Sequence, residues 1–252
     1  MIKQTAHRAY PVPTSPWIQF QRWDDLLFAH WQIPADQLRA AIPAGLTLDT
    51  FEGDAWLGVV PFEITGIRWR GFPPLPGLAG FPELNVRTYV TVGDKPGVYF
   101  FSLDAANLWA VVGARVAFHL PYFHARMTIQ RDGEWVNYQT RRIRNGAIPA
   151  EFTARYRPTG DGALAQPGTL THWLTERYCL YAVNSRGTIF RAEIHHAPWL
   201  LQPAELEITS NTMAQVSGFN IVDAPNAEPL LHFSKRQEVV VWFPTKVSAA
   251  KS

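Results

Sequence analysis

The sequence predicts an α+β protein in which most residues belong to an antiparallel β-sheet. Strand-like segments recur along the 252 residues, and short turn signals such as Asp132-Gly133 join many of them. Segments of helical composition are few and rarely separate two strands, which disfavours a parallel sheet. The chain is 47% hydrophobic and has ten Trp, fifteen Phe and eight Tyr, which suits a large core or an aromatic-lined pocket. We expect one domain over residues 1–252.

The individual elements follow from the local pattern. The first thirty residues, rich in proline and tryptophan, predict an extended arm that packs through Trp17, Phe20 and Trp23. Proline near the start and Pro43 and Gly45 at the end favour a short helix over residues 34–42. The remaining predicted elements are paired strands at 46–51 and 55–69, a loop or cavity lid at 71–82, hairpins at 125–131 with 134–142 and at 177–183 with 188–195, strands at 151–157, 203–209 and 230–243, a helical turn at 171–176, and a frayed tail at 245–252.

Residues 83–129 are the most informative stretch. Alternation places four side chains of a strand on one face and four on the other: Leu84, Val86, Thr88 and Val90 against Glu83, Asn85, Arg87 and Tyr89. The second face is either a solvated side of the sheet or a polar patch in a cavity, where Arg87 would hold a carboxylate. Its partner strand at 98–103 is almost wholly apolar, so we expect a central sheet covered on both faces. A covered arginine then needs Glu83, Asp104 or a ligand as its partner.

The segment after this hairpin predicts a helix over residues 105–118. Asp104 stands at the position expected for the helix N-cap, and Pro121 stops the helix before a further strand.

Composition excludes several classes of function. With 23 basic and 21 acidic residues the net charge is +2, too balanced to indicate nucleic acid as a partner. Cys179 is the single cysteine, so an internal disulfide and a multi-cysteine metal site are excluded. Motifs for metal, phosphate or dinucleotide binding are absent, so we expect no metal and no cofactor. Without a secretory signal or a bilayer-length apolar run, the chain is expected to be cytoplasmic, with no membrane partner. The tryptophan-rich arm makes a homodimer an expectation.

Four spaced motifs carry a family resemblance. They are NVRTYV at residues 85–90, FFSLDA at 100–105, LPYFHARM at 120–127 and LTERYCLY at 174–181. Together they resemble the YqjF-like family of unknown function, which is similar to the acetoacetate decarboxylase superfamily. The resemblance implies a large, closed, antiparallel β-barrel-like sheet around a small-molecule cavity, and it covers nearly the whole chain.

The resemblance also indicates which chemistry is missing. In the decarboxylases a helix with a Gly-Arg-Glu-type segment leads into a Pro-Lys-Lys turn, and one of the lysines forms a Schiff base. Here Gly113-Ala114-Arg115 occupies the helix and Pro121-Tyr122-Phe123 stands in place of the turn, so both lysines are absent. Decarboxylation through an imine is therefore not expected.

Three hypotheses follow for the function. In the first, the protein binds a small organic acid or keto compound through Arg87, with Asn85, Tyr89 and Arg115 as further binding residues. The second is a lyase or hydratase that works without an imine. Its candidate acid or base is Glu83 or Glu176, and Tyr122 donates a hydroxyl at the vacated lysine position. The third is an interaction domain whose barrel is filled with side chains.

Overall fold

A computed structural model describes residues 4–74, 80–143, 149–221 and 228–247, and within these ranges the chain forms fourteen strands and four short helices. The strands are β1 Gln19–Ile33, β2 Thr47–Leu48, β3 Ala55–Trp69, β4 Gly80–Val92, β5 Lys95–Ala105, β6 Tyr122–Asp132, β7 Trp135–Arg142, β8 Glu151–Pro158, β9 Ala163–Leu164, β10 Cys179–Val183, β11 Ile189–His195, β12 Leu200–Asn211, β13 Leu230–Val241 and β14 Thr245–Val247. The helices are α1 Ala35–Ala41, α2 Leu108–Phe118, α3 Leu170–Thr175 and α4 Met213–Val216.

One sheet contains all fourteen of these strands. Thirteen follow the order β14-β11-β10-β5-β6-β7-β8-β12-β13-β1-β3-β4-β2, and β9 pairs with β12 beside them. Additional pairings of β4 with β5 and of β11 with β13 bring the sheet back onto itself. Among the described strands, only the β5–β6 and β5–β10 pairs are parallel. The predicted α+β class with mainly antiparallel pairing is confirmed.

These pairings produce two sides that share the five strands β13, β1, β3, β4 and β5. On one side β6, β7, β8 and β12 connect β5 to β13 through successive strand pairings. On the other side β10 and β11 connect the same two strands. The path divides at β5, because β10 pairs with its first half at Val98–Tyr99 and β6 with its second half at Leu103–Ala105. We call β13, β1, β3, β4 and β5 the shared strands.

The first side is filled. Alternate residues of the shared strands, such as Leu27, Leu57 and Leu84, pack there against aromatic side chains of β7 and β8, including Tyr138 and Phe152. All five of these side chains are buried. We call this the filled side; the residues between them face the other way, and that second side is hollow.

Several predicted elements need correction. The arm ends at residue 18, because residues 19–33 form β1, which pairs along its length with β13 and β3. Asp104 is buried inside β5, and the N-cap of α2 is Asn107, whose side chain accepts the Ala110 backbone N–H at 3.1 Å. The two-residue strand β2 pairs with β4 and not with β3.

The end of the chain differs from the prediction as well. Residues 245–247 of the predicted tail form β14 against β11. Residues 248–252, and residues 75–79 of the predicted loop or lid, lie outside the described ranges.

Candidate functional site

A cavity of about 300 Å³ lies on the hollow side, between the shared strands and helix α2. This volume is at the lower end of the range of roughly 300–1,000 Å³ for small-molecule pockets. Aromatic and aliphatic side chains of β1, β3, β4 and β5 form most of its surface; among them are Phe28, Phe62, Ile64, Phe81, Phe100 and Leu103. Polar side chains are concentrated on β4.

Strand β4 contributes Glu83, Asn85 and Arg87 to the cavity. Side chains two residues apart share a face of a strand, so these three form a row with roughly 7 Å between successive Cα atoms. They are 4%, 5% and 9% exposed, although all three are polar. These three residues therefore line the cavity and do not form a solvated side of the sheet.

Arg87 is held in place by its neighbours on β1 and β3. Gly58 pairs with Arg87 across β3 and β4, and a Cβ atom at Gly58 would lie 3.3 Å from the Arg87 Cγ and 3.1 Å from the His30 ring. The guanidinium carbon lies 5.2 Å from the centre of the Phe28 ring, and one terminal nitrogen lies 3.5 Å from the Tyr89 hydroxyl. Glycine at position 58 therefore leaves the room that the arginine stem and the imidazole occupy.

Arg87 has no carboxylate partner among the described residues, and its Nε is buried without a hydrogen bond. The other two arginines that are comparably buried are paired: Arg8 lies 3.6 Å from Glu193, and Arg177 donates to Asp49 at 2.6 Å. A buried cation without a counter-charge is costly, since desolvation is not offset. The cavity thus presents a positive charge that an anionic ligand would neutralise.

Arg177 is a second cation at the cavity. Its guanidinium carbon lies 4.9 Å from the centre of the Tyr89 ring, where that of Arg87 lies at 5.8 Å, so the two arginines approach the same tyrosine. Burial lowers the pKa of Arg177, and the charge of Arg87 lowers it further against the opposing effect of Asp49. Two arginines this close favour an anion in the cavity.

Glu83 and Tyr122 meet at another part of the cavity surface. The Tyr122 hydroxyl donates to the Glu83 Oε2 at 2.9 Å. Burial raises the pKa of Glu83 to about 8, the hydrogen bond from Tyr122 opposes this rise, and the charge of Asp104 adds to it. Burial and Glu83 together raise the pKa of Tyr122 well above its usual value. At neutral pH the pair is uncharged, so it can exchange a proton without first disturbing an ion pair.

The structure places the predicted site residues in two groups. Glu83, Asn85, Arg87 and Tyr122 line the cavity together. Tyr89 is fully buried but does not line it; its hydroxyl meets the His30 Nε2 at 2.6 Å. Its contact with Arg87 makes it a residue that positions the arginine.

Two predicted residues lie away from the cavity surface. Arg115 is exposed on α2 and donates to the Tyr122 backbone oxygen at 2.6 Å, so it fastens the helix to β6. Glu176 accepts hydrogen bonds from the Trp199 backbone N–H at 2.9 Å and from the Tyr178 hydroxyl. The first of these fixes the backbone of a residue that lines the cavity. Neither side chain lines the cavity.

Sequence reasoning missed several polar lining residues, among them Arg177 and His196. The acid that Arg177 binds is Asp49, which lies 128 residues away in the chain. His196 is fully buried at the cavity. A polar side chain inside the LTERYCLY motif was the available signal for Arg177.

Other classes of site receive no support from the described residues. They contain no group of three or more His, Cys, Asp and Glu that could hold a metal ion. Their lysines, Lys95, Lys235 and Lys246, do not line the cavity. No helix in the described part of the chain has the length and apolar character to cross a bilayer.

Comparison with known proteins places this chain in a family. The model of DUF2071, described as "Uncharacterized conserved protein (COG2071)", matches residues 20–238. This chain belongs to the DUF2071 family. The uncharacterized protein YqjF of Bacillus subtilis (strain 168) is 45% identical to it over 242 residues, which are 96% of this chain and 98% of that protein. The YqjF-like resemblance is confirmed.

Solved structures share the fold at low sequence identity. The enduracididine biosynthesis enzyme MppR complexed with pyruvate has a TM-score of 0.64 at 11% identity and covers 96% of this chain and 95% of its own. Acetoacetate decarboxylase from Legionella pneumophila has a TM-score of 0.60 at 13% identity, with coverages of 97% and 94%. An acetoacetate decarboxylase-like enzyme from Sphingomonas wittichii RW1 scores 0.60 at 16%, with coverages of 97% and 99%. The fold is therefore acetoacetate decarboxylase-like.

Proposed function

We propose that this protein binds a small organic acid or keto compound, with the carboxylate at Arg87. The observation that carries the proposal is the buried guanidinium of Arg87 on the cavity surface, without a carboxylate partner in the described ranges. Arginine donates two parallel hydrogen bonds to a carboxylate, and such charge-assisted bonds are the strong ones. The apolar remainder of the surface would receive the carbon part of the ligand.

The size and protonation of the cavity support the same proposal. About 300 Å³ suits a ligand of modest size. Because Glu83 is protonated at neutral pH, it does not offset the positive charge of Arg87. Pyruvate, a keto acid, is the compound bound in the MppR complex, which shares this fold.

The test is a thermal-shift screen of small keto acids, hydroxy acids and fatty acids on three proteins: wild type, Arg87→Met and Arg115→Met. Methionine keeps much of the aliphatic bulk and removes the charge. A ligand at about 100 times its Kd stabilises by roughly 2.7 kcal/mol, which a melting curve resolves. We expect shifts with wild type and Arg115→Met, and none with Arg87→Met.

The control makes the result specific. Arg115 lies on the same side of the molecule but outside the cavity surface, so a general effect of lost positive charge would affect both variants alike. Equal shifts in wild type and Arg87→Met would show that the carboxylate does not bind at Arg87.

A second candidate function is a lyase or hydratase, favoured by the Glu83–Tyr122 pair. A carboxyl group with a pKa of about 8 beside a hydroxyl at 2.9 Å suits general acid–base catalysis near neutral pH. Glu83 would move a proton to or from the bound compound, and Tyr122 would donate a hydrogen bond.

This candidate is separated from simple binding by two variants. With any acid that the screen identifies, Glu83→Gln should retain binding and lose turnover by about 10²–10⁴-fold, because a positioned acid or base contributes that much. Tyr122→Phe should lower turnover to a smaller extent. Full turnover in both variants would leave binding as the function.

A further inference from the structure

The exposed part of the cavity surface lies along a single line of helix α2. Of the residues that line the cavity, only Trp109, Gly113 and Ala117 are exposed, and all the others are buried or partly buried. These three are spaced four residues apart, so they follow one another along one side of the helix. The cavity therefore meets solvent beside this line.

Gly113 lies in the middle of that line and has the smallest side chain of the three residues. A Cβ atom added to it would meet no described atom of another part of the protein within 4 Å. It lies inside a helix, where glycine is less favourable than alanine, and its backbone is not in the left-handed region that glycine alone adopts easily. Neither packing nor backbone geometry thus requires glycine at this position.

The outer side of the same helix has larger residues. Val112 and Val116 are 47% and 74% exposed and do not line the cavity. Six residues of the helix do line it: Trp109 and Phe118 are large, and those at positions 110, 113, 114 and 117 are alanine or glycine. An amphipathic helix usually turns its larger apolar residues inward. Here the small residues face the opening, which keeps it unobstructed.

We propose that the gap bordered by Trp109, Gly113 and Ala117 is the route by which the ligand enters, and that Gly113 determines the width of ligand admitted. This inference rests on the proposed function, since it supplies the entrance to the same cavity. An entrance residue acts on passage and not on the bound state. A larger side chain at position 113 therefore slows association and dissociation by the same factor.

The experiment measures binding kinetics by stopped-flow with two acids that the screen identifies, one linear and one branched next to the carboxylate. The proteins are wild type, Gly113→Ala, Gly113→Leu and the control Val112→Leu. We expect Gly113→Leu to slow both rate constants at least tenfold for the branched acid and less for the linear one, with Kd within about twofold. Gly113→Ala should give a smaller effect in the same direction, and Val112→Leu should match wild type.

Two results would overturn the proposal that ligands enter beside Gly113. Unchanged rate constants in Gly113→Leu would show that ligands enter elsewhere. A changed Kd at an unchanged association rate would show that residue 113 touches the bound ligand and not its path. Alanine and leucine are better helix formers than glycine, so both variants are expected to fold.

The exchange of xenon, followed by ¹²⁹Xe NMR, separates this inference from the proposed function. Xenon enters apolar cavities and needs no arginine. If no acid binds wild type, the proposed function fails, and slower xenon exchange in Gly113→Leu still supports the entrance. Equal xenon exchange in both proteins would overturn the entrance.

Discussion

Asp104 on the filled side of the shared strands and Arg87 on the hollow side differ in whether the buried charged group has an oppositely charged partner. On the filled side Asp104 is fully buried, and Arg142 binds it with two hydrogen bonds of 2.7 and 3.0 Å while lying over the Phe123 ring at 3.7 Å. On the hollow side Arg87 has no acid and Glu83 has no base among the described residues. The pair on the filled side stabilises the fold, whereas the unpaired guanidinium of Arg87 is available to a ligand.

The largest expected effect comes from breaking the paired charge. Arg142→Ala leaves Asp104 buried without its partner, and loss of one member of a buried pair costs about 3–5 kcal/mol. Urea denaturation at pH 7 measures this loss. Arg155→Ala is the control, since its ion pair with Glu207 is exposed and should not contribute measurably. A loss no larger than that of the control would show that the two sides do not differ.

The second prediction concerns pH and the unpaired acid. The pKa of Glu83 is about 8 in the folded protein against an ordinary 4.5. Between these two pH values Glu83 keeps its proton in the folded protein and has lost it in the unfolded chain. The stability contributed by protonated Glu83 is fully present below its unfolded-state pKa of 4.5, and it is lost as the pH rises through its folded-state pKa of about 8. The free energy of unfolding of wild type should therefore fall relative to Glu83→Gln, by on the order of 1 kcal/mol per pH unit in this window. Denaturation curves of both proteins from pH 5 to about pH 9 test the slope.

The third prediction reverses the sign seen for Arg142. Arg87→Met removes a buried charge that no acid offsets, so the free energy of unfolding should stay unchanged or rise by about 1 kcal/mol. Calorimetry of the ligand-free protein measures it, and Arg142→Met provides the matched loss on the filled side. Equal destabilisation by the two substitutions would mean that Arg87 has a structural partner after all.

A small effect is also expected at the hydrogen bond within the cavity. Tyr122→Phe removes the bond to Glu83 and should cost about 0.5–1.5 kcal/mol, as a typical hydrogen bond does. Because this bond opposes the rise in the pKa of Glu83, its loss should also move the pH-dependent step to higher pH. A step at unchanged pH would show that the hydroxyl does not bind the carboxyl.

Local sequence pattern predicted the row on β4 but could not locate everything around it. Alternation is a local property, so Glu83, Asn85 and Arg87 could be assigned to one face without knowledge of the fold. The apolar run at 98–103 then indicated that this face was covered. Whether the covering left a cavity depended on the packing of distant segments.

The errors have the same origin. Asp104 resembles an N-cap locally, and its binding to Arg142 appears only when β5 and β7 come together. Strand β1 was hidden because the prolines before residue 17 suggested a continuous arm. The family resemblance alone indicates Arg115 as a binding residue, and in the structure its exposed side chain donates to the Tyr122 backbone oxygen and does not line the cavity.

The division of the shared strands into two sides also bears on how the chain folds. A slip of one residue in the pairing of β4 would exchange its two faces and bring Glu83, Asn85 and Arg87 among Leu27, Leu57 and Tyr138. Two ionisable groups would then lie in a close-packed apolar interior, at a cost of several kcal/mol for each charge. The residues that make the cavity polar thus also select the correct alignment of the central strands during folding.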